Sequence, residues 1–131
     1  MTKKPSLNRA KEICPTRTMN KLRQGALLVD VRRPGEVEEV SFDVPEYLHI
    51  PLKELEHRWQ EIPIGREVIF ACRSGRRSLK ATYFMMNHGF DKVFNMEGGM
   101  LKWASKGFPA KGNVDGLLAA QSCDCSQPDC C

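Results

Sequence analysis

Val68 to Phe84 reads "VIFACRSGRRSLKATYF", and its character changes twice along the way. "EVIFAC", from Glu67 to Cys72, is a short apolar run of the kind that forms a strand buried on both faces. "SLKATYFMMNHG" places Leu79, Tyr83 and Met86 on one side of a helix that begins near Ser78 and closes at Gly89. Between them a lone thiol, Cys72, is followed by Arg73, Ser74, Gly75, Arg76, Arg77 and Ser78. A cysteine serving only as a small core hydrophobe needs no such loop.

The same alternation runs outward in both directions. "LLVDV" (Leu27 to Val31), "EYLHI" (Glu46 to Ile50) and "KVFNM" (Lys92 to Met96) read as further buried strands, with "KEIC" (Lys11 to Cys14) as a weaker fifth. "PTRTMNKLRQG" opens a helix at Pro15 and ends it at Gly25. "PLKELEHRWQEIP" sets Leu52, Leu55, Trp59 and Ile62 along one helical stripe and stops at Pro63. Strands alternating with amphipathic helices predict an α/β fold, with a mainly parallel central sheet of about five strands flanked by helices.

With 131 residues the chain suffices for one core and is short for two. Residues 1–10 are polar and basic and read as a flexible arm, 11–111 as the domain, and 112–131 as a Cys-rich tail outside the core. No apolar run approaches membrane-spanning length and no signal-like stretch follows the first lysines, so a soluble, cytoplasmic protein is expected. The net charge is +4, and because Asp115, Asp124 and Asp129 follow the last basic residue, residues 1–111 carry +7. That balance favours small anions. The basic residues are scattered rather than striped, which argues against nucleic acid.

Six cysteines do not make a disulfide framework here. Cys14 and Cys72 are isolated, while Cys123, Cys125, Cys130 and Cys131 crowd the last nine positions. Such spacing suggests reduced thiols, with Cys14 inert at a helix cap. The tail's Cys-x-Cys start lacks the spacing and the histidine of common zinc knuckles; a mobile reduced tail, a metal or redox cluster, and a sulfur relay all remain open for it.

Ligands of open parallel sheets bind at the carboxyl ends of strands, which is where Cys72 falls. Gly75 can take positive φ, letting successive backbone N–H groups converge as an anion nest above a helix N-terminus. Those donors favour the thiolate, and forked arginines suit an anionic substrate. Asp30 at a strand end and Arg32 two residues on form a second candidate group, a carboxylate needing a cation.

At these residues the chain resembles the rhodanese family of sulfurtransferases, in its small single-domain form, over about residues 11–110. "LLVDVRRPGEV" is similar to the family's Asp-Val-Arg segment, Cys72 with "RSGRRS" to its active-site loop, and "NMEGGMLKW" to its closing Glu-Gly-Gly and Trp motif. The resemblance implies that Cys72 takes the outer sulfur of a donor such as thiosulfate and becomes a persulfide. It implies that Arg73, Ser74, Gly75, Arg76, Arg77 and Ser78 bind the substrate and that Asp30 and Arg32 support the loops. It further implies a thiol or cyanide acceptor, a sulfur-relay protein as partner, and no cofactor or metal.

One departure is "SFDVPEYLHIPL", which lacks the family's Gly-His-Ile-Pro-Gly-Ala stretch; His49, His57 and His88 are therefore left out of the mechanism. The rival readings are a Cys-dependent phosphatase or arsenate reductase, a non-catalytic binding module, and a sulfur or metal carrier using the tail. The first requires Cys, five residues and then Arg, but Arg77 comes one residue early and Ser78 stands in that place.

Overall fold

The computed structural model describes residues 9–120. Three of the apolar runs are buried at every position: β2 (Leu27–Asp30), β5 (Val68–Ala71) and β6 (Val93–Met96). Burial on both faces forces them to the middle of a sheet. β1 (Lys11–Ile13) and β4 (Tyr47–His49), which keep partial exposure, form its edges. The order is β1-β6-β5-β2-β4 and every pairing is parallel. The chain thus has the α/β architecture read from its sequence, a five-stranded parallel sheet with flanking helices.

Each face of the sheet carries its own apolar layer. On one, α1 (Pro15–Arg23) and α5 (Gly99–Ser105) bring Leu22, Met100 and Trp103 against Leu28, Ile69 and Met96. On the other, α3 (Leu55–Arg58) and α4 (Arg76–Asn87) bring Leu55, Ala81 and Met85 against Val29 and Phe70. The stripe from Leu52 to Ile62 is not one helix. Short 3-10 turns at Leu52–Glu54 and Trp59–Glu61 flank α3, and Arg58 leaves helical geometry at φ −122°. Leu55 and Ile62 are both buried nevertheless, so the spacing predicted the buried face but not the backbone path.

Four elements depart from the sequence reading. α2 (Pro34–Glu39) follows β2, and β3 (Val40–Phe42) pairs antiparallel with β7 (Ala110–Gly112) in a separate ribbon. α6 (Val114–Ala120) then packs Val114, Leu117 and Leu118 onto the layer around Trp103. The start of the region set apart as a tail therefore lies on the core, because Val114, Leu117 and Leu118 fall at helical spacing and find an apolar seat. Residues 1–8, most of the arm, and 121–131, including the four clustered cysteines, lie outside the described residues. Cys14 corrects another expectation: it is buried and disulfide-bonded rather than a reduced thiol, whereas Cys72 is free. No helix among the described residues is long and apolar enough to cross a membrane.

Candidate active site

Strand order reverses between β2 and β5, since the chain leaves β5 towards β6 and leaves β2 towards β4. The crevice at such a switch point, beyond the strands' carboxyl ends, is where open α/β sheets place ligands. Cys72 follows β5 and Asp30 ends β2, in register with Ala71, so both stand at this crevice.

The loop after Cys72 curls back over the sulfur. Gly75 supplies the turn with φ +101°, caps α4, and donates its N–H to Cys72 Sγ at 3.1 Å. The Ser78 N–H reaches the same sulfur at 3.3 Å, and Ser78 Oγ lies 3.3 Å from it. α4 thus starts at Arg76, two residues before the position expected from Ser78. Cys72 and Ser78 are both 0% exposed.

A second loop, at the start of α5, supports the first. Met100 N–H donates to the Cys72 carbonyl at 2.8 Å and Leu101 N–H to that of Arg73 at 3.1 Å. Gly99 (φ +59°) must be glycine, because a Cβ there would lie 2.5 Å from the Cys72 and Arg73 carbonyl oxygens. The Gly-Gly pair of "NMEGGMLKW" is a close-approach device, and Trp103, fully buried, anchors the helix that carries it.

Asp30 and Arg32 form a buried pair with nitrogen–oxygen distances of 2.9 and 2.8 Å. Arg32 N–H and the Tyr47 hydroxyl complete the carboxylate's partners, at 3.1 and 2.8 Å. Burial, then the Asp30 charge, pushes the Tyr47 phenol well above its ordinary range, so it stays a donor. His49 Nε2 meets the Arg32 carbonyl at 2.8 Å and helps seat that turn.

The three loop arginines divide. Arg77 forks onto Glu36 with distances of 2.7 and 3.0 Å, tying α4 to α2. Arg73 and Arg76 are exposed and have no ion-pair partner among the described residues. Arg73 lines a cavity of about 230 Å³ together with Arg32, Glu36, Glu39, Val40 and Leu117. A larger hollow of about 490 Å³, bounded by Lys11 and Val93, opens at the strands' amino ends and is remote from this chemistry. No group of three or more potential metal ligands occurs among the described residues.

The hydrogen bonds from Arg77 hold the Glu36 carboxyl at about 2 against its ordinary 4.5, outweighing partial burial, with help from the Arg33 N–H. A depressed carboxylate contributes stability that is complete above 4.5 and fades as pH falls towards about 2. Glu36→Gln is accordingly expected to be less stable than wild type at neutral pH, the difference closing through that acid window. Denaturant midpoints measured as a function of pH check this.

Sequence reading missed Glu36, Tyr47 and Asn95. Asn95, 1% exposed in β6, accepts from Ser78 Oγ at 2.5 Å and donates to the Gly75 carbonyl at 3.2 Å. An amide inside the apolar run "KVFNM" was the available signal, since a buried amide must find partners. Nothing local marked Glu36, whose partner Arg77 is 41 residues away.

The fold, the switch-point thiol and the N–H-lined loop define a protein of the rhodanese type. Residues 15–106 match the family model described as Rhodanese-like domain, and the chain belongs to that family. It is 38% identical over 86 residues to a protein named Sulfurtransferase from Allochromatium vinosum, covering 66% of this chain and 78% of that one. It is 29% identical to a Thiosulfate sulfurtransferase GlpE from Pseudomonas syringae, over 71% of this chain and 86% of the other. The solved polysulfide-sulfur transferase homodimer from Wolinella succinogenes superposes with a TM-score of 0.71 at 27% identity, covering 79% and 80% of the two chains. Transfer of sulfur is thus supported for this chain at the level of its family.

Proposed function

We propose that this protein moves sulfane sulfur from a small anionic donor, thiosulfate or one like it, to a thiophilic acceptor through a persulfide on Cys72. The observation that carries the reading is the pair of N–H groups, from Gly75 and Ser78, aimed at Cys72 Sγ from within one short loop. Oriented backbone donors favour negative charge on sulfur without reorganising during the reaction.

In the first half-reaction the Cys72 thiolate attacks the donor's outer sulfur. The donor's sulfur–sulfur bond breaks, and sulfite leaves with the electron pair. In the second, an acceptor thiolate or cyanide attacks the outer sulfur of the persulfide, and Cys72 departs as thiolate. Two half-reactions through a covalent intermediate give ping-pong kinetics. Arg73 and Arg76, exposed and outside any ion pair among the described residues, take the anion. Arg77, occupied by Glu36, joins Asp30 and Arg32 in supporting the loops rather than binding substrate. Ser74 and Gly75 shape the loop, and Ser78 contributes its N–H and hydroxyl. A thiol carried by a sulfur-relay protein fits the acceptor role.

Intact mass after incubation with thiosulfate tests the reading: a gain of one sulfur per chain with stoichiometric sulfite is expected. Polysulfide loading in place of thiosulfate loading would revise the donor. No gain from either would end the proposal.

A further inference from the structure

Resting on that reading of Cys72, the polar chain behind it carries a further step. Asn95 Nδ2 donates to the Gly75 carbonyl at 3.2 Å and to Glu12 Oε2 at 3.1 Å. Both partners are acceptors, so the amide has one orientation that satisfies it, with Oδ1 facing Ser78. Oδ1 is itself only an acceptor, and it lies 2.5 Å from Ser78 Oγ. The single Ser78 proton is therefore committed to Asn95. What Ser78 turns towards Cys72 Sγ, 3.3 Å away, is lone-pair density.

That arrangement suits a neutral sulfur. A thiol can donate its own proton to Ser78 Oγ, and the inner sulfur of a persulfide bears little charge. A thiolate, already held by the Gly75 and Ser78 N–H groups, gains a third donor only if the Ser78 proton is turned towards it. We propose that Asn95 is a positioning residue which draws the Ser78 hydroxyl proton away from Cys72 and yields it when negative charge falls on the inner sulfur as the outer one departs. In that step the bond between inner and outer sulfur breaks, the acceptor's sulfur bonds to the outer one, and Cys72 keeps the electron pair. The Ser78 proton stays on its oxygen; only its hydrogen bond is redirected. Asn95 also ties down Gly75, but that contact bypasses the Ser78 side chain, so the two effects separate by experiment.

The test is a pH titration of the ultraviolet thiolate absorbance of Cys72, taken in the full chain as the difference from Cys72→Ala. Wild type, Ser78→Ala, Asn95→Leu and the double variant are compared. Ser78→Ala is expected to move the midpoint up by about one pH unit, the size of one lost hydrogen bond to a charged group. Asn95→Leu should place the midpoint lower, relative to its parent, in the wild-type background than in the Ser78→Ala background. The two displacements should differ by about half a unit or more. Equal displacements, or a difference of the opposite sign, overturn the proposal, because Asn95 then acts through the loop alone. Asn95→Ala, which adds no bulk, replaces Asn95→Leu if the latter does not fold. The titration uses no sulfur donor, so failure of the gate and failure of the sulfurtransferase reading are read separately.

Discussion

Cys72→Ala is expected to abolish both sulfur loading from thiosulfate and turnover with cyanide, a loss of more than about a thousandfold, since covalent catalysis has no substitute nucleophile in the loop. The side chain is 0% exposed and alanine fits its place, so the fold should survive and thermal unfolding should stay close to wild type. Loss of chemistry without loss of stability is the signature sought. Intact mass after thiosulfate, with the unfolding midpoint measured alongside, gives both readouts. A mass gain retained in Cys72→Ala would move the acceptor role to Cys123, Cys125, Cys130 or Cys131, which lie outside the described residues.

Asp30→Ala should have the largest effect on stability. The carboxylate is 0% and the guanidinium of Arg32 3% exposed. Removing the acid leaves a buried cation unpaired and the Tyr47 hydroxyl without its acceptor. Breaking such a pair from one side costs about 3–5 kcal/mol, most of it the desolvation of the abandoned charge. In a domain of this size that lowers the melting temperature by about 10 °C or more. Asp30→Asn, which keeps the shape and one acceptor oxygen, should fall between. Calorimetry decides: a change below about 1 kcal/mol in Asp30→Ala would mean that Arg32 finds solvent easily and that the pair is not a structural support.

How far the sequence could be read followed how local each feature was. Leu27 to Val31 and Val68 to Cys72 announced central strands, because burial on both faces requires consecutive apolar side chains. Gly75 announced the loop, because its φ of +101° is a conformation other residues resist. The Asp30–Arg32 pair spans two residues and was readable for the same reason. β3, β7 and α6 were not, since β3 and β7 pair with each other from distant parts of the chain and α6 takes its place from the layer around Trp103. The helix expected through Leu52 to Ile62 erred differently: its apolar spacing was right and Leu55 and Ile62 are both buried, but the backbone breaks at Arg58.

From composition and order along the chain came the parallel sheet, the thiol at a strand end, the glycine-bearing loop that leads into α4 and the expectation of an anionic partner. All of these are set by neighbours in sequence. Arg77 being engaged by Glu36, Ser78 being drawn to Asn95, and Gly99 pressing on the Cys72 carbonyl came from folding alone. Each joins segments 17 to 41 residues apart, or loops brought together by the sheet. A side chain's role at such a site depends on what stands opposite it, and the order of strands β6, β5 and β2 is what sets those groups face to face.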